Sequence, residues 1–82
     1  MLKVYADFNS GTTDGVLTIL FYDDKPLEHQ MASLNLREGD KVVLYQDEGD
    51  FQVVGTLEFR DFPVGGRSLV ARPDWSTIVE FS

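Results

Sequence analysis

The stretch LREGDKVVLYQDEGDFQVVGTLEFR, residues 36–60, constrains the fold more than any other part of the chain. Val42 and Leu44 alternate with Val43 and Tyr45, then DEGD breaks the run, and a second alternating run returns from Phe51. A period of two is the period of a strand. Two such runs around a short glycine-containing break make a hairpin, whose turn sets the register. With Glu48 and Gly49 as the turn residues, Asp47 faces Asp50, Gln46 faces Phe51 and Tyr45 faces Gln52. Leu44 then faces Val53, Val43 faces Val54, Val42 faces Gly55 and Lys41 faces Thr56. Phe51, Val53, Leu57 and Phe59 share the parity that points to a core, and Gly55 in mid-strand suggests a bend or bulge. The other parity leaves Val43, Tyr45 and Val54 together on the far face.

The rest of the chain reads as further short strands. Leu2, Val4, Ala6 and Phe8 alternate with Lys3, Tyr5 and Asp7, the pattern of a half-buried strand. NSGTTDG is a loop by its turn residues, and VLTILFY, residues 16–22, is apolar on both parities and reads as a central strand. After DDKP, Leu27, Met31 and Leu34 fall on one helical stripe, so a short helix over 26–34 is expected, with a strand as the alternative. DFPVGGRS reads as a second loop, LVA as a short strand, Pro73 as an interruption, and DWSTIVEF as a turn and a last strand. Closely spaced short strands predict an all-β chain with minor α content: one domain, 1–82, built as a small antiparallel barrel of five or six strands. LREGDKVVLY resembles the start of a strand in SH3-like barrels, where a leucine, a Gly-Asp turn and a valine strand occur together. The resemblance covers about a third of the chain, concerns the fold alone and implies an SH3-like barrel with no particular activity.

Charge and composition narrow the function. A net charge of −7 repels phosphate at long range, which argues against nucleic acid as a partner. Arg60, Arg67 and Arg72 form a locally basic stretch, read as solvated surface residues or a local anion contact. No run approaches the ~20 apolar residues that span a bilayer, so no membrane partner is expected. The absence of cysteine removes disulfides, thiolate nucleophiles and zinc–thiolate sites, and points to a cytoplasmic protein.

No catalytic constellation stands out. His29 is the single histidine; Ser33 lies four residues on, but nothing marks it as a nucleophile, and an exposed histidine is the simpler reading. Asp23 and Asp24 could converge in a turn, and Asp47, Glu48 and Asp50 cluster around Gly49, a weak candidate for a hard cation. The EF-hand spacing is absent, so a solvated acidic tip is the plainer reading. PVGGRS lacks the spacing of a phosphate-binding loop. Tyr5, Tyr22 and Tyr45 sit in expected strands without the ALYDY-type cluster that docks proline-rich peptides. Trp75 is expected to be largely buried at one end of the barrel, or, if exposed, to be a binding anchor.

These readings converge on a non-catalytic protein-interaction or self-association module without a cofactor, with Val43, Tyr45, Val54 and Trp75 as contact residues. The partner is another protein or a second copy. The alternative is a small regulatory domain that binds a metal ion or small ligand through its acidic loops.

Overall fold

Six strands form one mixed sheet in the order β3-β2-β1-β4-β5-β6. The structure is a computed structural model that describes residues 1–47 and 49–81. The strands are β1 (Lys3–Ala6), β2 (Leu20–Tyr22), β3 (Lys25–Pro26), β4 (Lys41–Tyr45), β5 (Phe51–Phe62) and β6 (Gly66–Glu80). Two 3-10 turns, Phe8–Ser10 and Leu27–Gln30, complete the elements. The chain is therefore all-β, as the alternating runs imply.

The β4–β5 register is the one read from the sequence, from Lys41 opposite Thr56 through Val43 opposite Val54 to Tyr45 opposite Gln52. Glu48, half of the expected turn, lies outside the described residues. Val42, Leu44, Val53 and Leu57 are buried on the inner face with Val4, Ala6, Leu17, Leu20 and Leu69. Phe59 is half-buried against this core, under the guanidinium of Arg67. Gly55 is not a bulge: it pairs regularly with Val42 and with Pro73. Its missing side chain has a different cause, because a Cβ there would overlap Leu44 Cδ1 and lie 3.0 Å from Leu44 Cγ.

Four features depart from the expected barrel. First, β1 pairs with β4 in parallel, through Lys3–Val43, Val4–Leu44 and Tyr5–Tyr45, so the sheet is mixed. Parallel neighbours require a long connection, and residues 7–40 supply one. Second, the sheet does not close. Leu17 makes a single two-bond bridge to Ala71 of β6. Beyond it, Thr18 N and Ile19 N donate to Ser10 Oγ, and Thr18 Oγ1 donates to Ser10 O. These local side-chain bonds replace the ladder bonds a strand over 16–22 would have made, so only Leu20–Tyr22 is strand.

Third, the expected helix over 26–34 reduces to the 3-10 turn Leu27–Gln30 and a closing turn. Asn35 takes φ 58°, Leu36 N donates to Met31 O, and Asn35 N donates to Ala32 O. This is a Schellman closure, which stops helical winding. The apolar stripe nevertheless acts as expected: Leu27 and Met31 are in the core and Leu34 packs on it. Fourth, β6 runs straight through Pro73, which needs no N–H at that position of an edge strand. The ladder breaks one residue later instead. Val53 alone spans the stretch that Trp75, Ser76, Thr77 and Ile78 occupy on β6. Asp74 Oδ1 accepts from Ser76 N and Ser76 Oγ, and Thr77 Oγ1 accepts from Val54 N, so the excursion is held by side chains.

Candidate functional site

The 27–36 segment packs on the inner face of the sheet, whereas Tyr5, Phe21, Val43, Tyr45 and Val54 on the outer face stay half-exposed among the described residues. Register places Phe21 of β2 beside Tyr5 of β1, Tyr5 beside Tyr45 of β4, and Tyr45 beside Gln52 of β5. The next row holds Lys3, Val43 and Val54. The result is an aromatic row across three adjacent strands with an aliphatic pair beside it. Tyr5 and Phe21 stand 6.1 Å apart, tilted by 52°, and Tyr5 meets Tyr45 edge-on at the same distance. Lys3 Nζ lies 4.7 Å from the centre of the Tyr45 ring, a cation–π contact.

The row lines an open cleft of about 800 Å³, rimmed by Asp23 and Asp24. Both aspartates sit in the left-handed region, at φ 54° and 61°, as the two-residue connection of the β2–β3 hairpin requires. The hairpin is held from behind by Gln30, whose Nε2 donates to Tyr22 O at 2.8 Å and Lys25 O at 3.0 Å. The same 3-10 turn is anchored to β6 by Glu28 Oε1, which accepts from Leu69 N at 2.8 Å. Among the described residues, Asp23 and Asp24 have no side-chain hydrogen bond or ion pair, whereas most other carboxylates do.

Those other carboxylates are structural. Glu38 Oε2 accepts from Phe59 N, and Asp40 Oδ2 accepts from Arg37 N. Asp14 accepts from Thr12 Oγ1 and pairs with Arg60. The Thr12 hydroxyl first, then the Arg60 guanidinium, hold the Asp14 carboxyl at about 2, below the ordinary 3.8. Arg60 in turn is raised by Asp14. Glu58 bridges Arg60 and Arg72, and Arg67 lies near Glu38 and Asp61. The three arginines are thus internal partners of acids. Asp74 is lowered by the Ser76 hydroxyl and then by its N–H.

The contact residues read from the sequence are divided by the structure. Val43, Tyr45 and Val54 share the outer face, half-buried. Trp75 does not join them and is not buried: it is 52% exposed and packs on Phe8 and Phe51 at the core side. It lies within the Asp74–Thr77 excursion, where the β5–β6 ladder is interrupted. Tyr5 and Phe21 are the members that sequence reading missed. Tyr5 was visible as an aromatic on the solvent parity of β1, but its neighbours depend on the parallel β1–β4 pair.

His29 is exposed on the Leu27–Gln30 turn, and Ser33 Oγ donates to Gln30 O. Val64, Gly65 and Pro63 form the exposed β5–β6 turn, shorter than the expected loop because Phe62 already pairs with Gly66. Among the described residues no three His, Asp or Glu side chains converge as metal ligands. Of the acidic tip, Asp47 and Asp50 are exposed, and Glu48 lies outside the described residues. No helix among the described residues is long and apolar enough to cross a membrane. No known protein family, curated protein or solved structure matches the chain.

Proposed function

We propose that this chain is a non-catalytic protein-interaction module whose contact surface is the outer sheet face: Tyr5, Phe21 and Tyr45, with Val43 and Val54 beside them. One observation carries the reading: an aromatic row crosses three neighbouring strands on a face whose side chains stay half-exposed among the described residues. Aromatics are enriched at the anchoring positions of protein interfaces. Cross-strand pairing of Val43 with Val54 contributes only ~0.2–1 kcal/mol, which does not account for an apolar outer face. The cysteine-free composition supports a cytoplasmic setting.

Solution mass and melting temperature of the wild type and of a Val43→Lys/Val54→Thr variant test the proposal. An oligomer that dissociates into folded monomers identifies the face as a self-contact. A wild-type monomer whose variant melts within a few degrees of it shows a face with no structural duty, available to another protein. A wild-type monomer whose variant unfolds makes the face ordinary core, and the proposal fails.

A further inference from the structure

We infer that the partner at this face presents a basic segment, with a lysine or arginine side chain seated over Tyr5 and Phe21 between the Asp23 and Asp24 carboxylates. The inference rests on the outer face being a binding surface and adds the chemistry of what binds.

Charge complementarity supplies the argument at two ranges. At long range, a chain of net charge −7 steers cations toward itself and repels copies of itself. A second copy is therefore the weaker occupant. At short range, the cleft joins aromatic rings to two acids and the single cation Lys3, so its charged lining carries a net negative charge among the described residues. Ring faces carry the negative lobe of the aromatic quadrupole and attract ammonium and guanidinium groups. Lys3 shows this on the same surface, with its Nζ over the Tyr45 ring. The other end of the row, Tyr5 and Phe21, lies toward the β2–β3 turn that carries Asp23 and Asp24.

The rim acids also differ from the chain's structural carboxylates. Glu28, Glu38, Asp40 and Asp74 each accept from a backbone N–H. Asp14 and Glu58 are paired with arginines. Asp23 and Asp24 do neither among the described residues, yet they occupy consecutive left-handed positions where asparagine and glycine are favoured. Both residues are exposed on the lining of the cleft. Gln30 fixes the turn that presents them.

The test is an NMR titration of the labelled full chain with a short capped peptide alternating alanine and lysine, against the same peptide carrying glutamate. Saturable shifts centred on Tyr5, Phe21, Asp23 and Asp24 are expected with the lysine peptide only. Asp23→Asn/Asp24→Asn keeps the turn, because asparagine tolerates the left-handed region, and should weaken binding about tenfold at low salt. Asp47→Asn/Asp50→Asn makes the same change of net charge at the far tip and should weaken it by less than about twofold. Equal loss in the two variants, or lysine-peptide shifts scattered over every acidic surface, overturns the inference and reduces the effect to bulk charge. Shifts on the face with the glutamate peptide alone, or a self-contact there, overturn the basic partner but leave the face a binding surface. Absence of any peptide binding, together with unfolding of Val43→Lys/Val54→Thr, removes both readings.

Discussion

Gly55→Ala is the substitution whose outcome the structure fixes most tightly. Gly55 is buried in the middle of β5, paired on both sides, with an ordinary strand conformation rather than a left-handed one. Backbone freedom is therefore not what the position requires. The added Cβ would overlap Leu44 Cδ1, approach its Cγ to 3.0 Å, and stand 3.5 Å from Arg72 O. Leu44 is fully buried, so its side chain has no open space to swing into. Overpacking of this kind costs ~1–3 kcal/mol, while replacing a strand glycine by alanine recovers ~0.5–1 kcal/mol of chain entropy. The difference spans roughly 0–2.5 kcal/mol, and because Leu44 is fully buried the upper half of that range is expected, a fall in Tm of roughly 5–20 °C for a chain this short. Leu44→Val removes the overlapping Cδ1 at a cost of ~1 kcal/mol. In that background, Gly55→Ala should be neutral or stabilising. Urea denaturation followed by circular dichroism on the four members of the cycle measures the coupling. If Gly55→Ala leaves the midpoint unchanged, or if the two substitutions simply add, the steric account of Gly55 is wrong.

The remaining predictions concern the acids and the tryptophan. Asp14 has a folded pKa of about 2 against an ordinary 3.8, so its contribution to stability is present above 3.8 and is lost as pH falls toward about 2. Asp14→Asn should therefore lower Tm at neutral pH and flatten its decline across that window, as acid melting curves would record. Trp75→Ala should cost ~1–2 kcal/mol in denaturant, below the ~3–5 of a fully buried ring, because the ring is 52% exposed and touches only Phe8 and Phe51 among aromatics. Asp24→Gly should raise stability by ~0.5–1 kcal/mol, since glycine suits the left-handed position, and the same variant should bind the lysine peptide less tightly.

What the sequence disclosed was local. The β4–β5 register followed from parity and a short turn, so every described pair from Lys41 to Tyr45 could be written down in advance. The stripe of Leu27, Met31 and Leu34 was legible as buried, but its winding was not. Gln30 and Asn35 decide that by bonding back to carbonyls and by taking a left-handed φ. Long-range pairing was illegible for a related reason. Nothing in Lys3–Ala6 announces that it runs parallel to Lys41–Tyr45, since no turn connects them. That pairing is what brings Tyr5, and Phe21 beyond it, into line with Tyr45, so two of the three rings of the outer row stayed hidden. Trp75 failed differently. Pro73 drew attention as the strand breaker, while the break came from the Asp74 carboxylate capturing Ser76.

The acidity of the 36–60 hairpin resolves into two uses. Glu38, Asp40 and Glu58 work inside the fold. Gly39 N donates to Leu57 O, and Leu57 N donates to Asp40 O. With Glu38 on Phe59 N, these bonds continue the β4–β5 pairing past Lys41. Among the described residues, Asp47 and Asp50 are the exposed acids of the tip, at the Tyr45 end of the sheet and opposite the β2–β3 turn. Charge at the tip acts on a partner at a distance and is screened by salt within about 8 Å at physiological ionic strength. Charge at Asp23 and Asp24 acts at contact, in the cleft that Tyr5 and Phe21 also line. An acidic chain with both should gain association rate from the first and orientation from the second. Neutralising the tip should therefore slow association with a basic peptide while leaving its dissociation rate unchanged. Neutralising Asp23 and Asp24 should chiefly speed dissociation. Stopped-flow mixing separates the two rates, and a rim variant that altered only association would show that the rim acts as bulk charge.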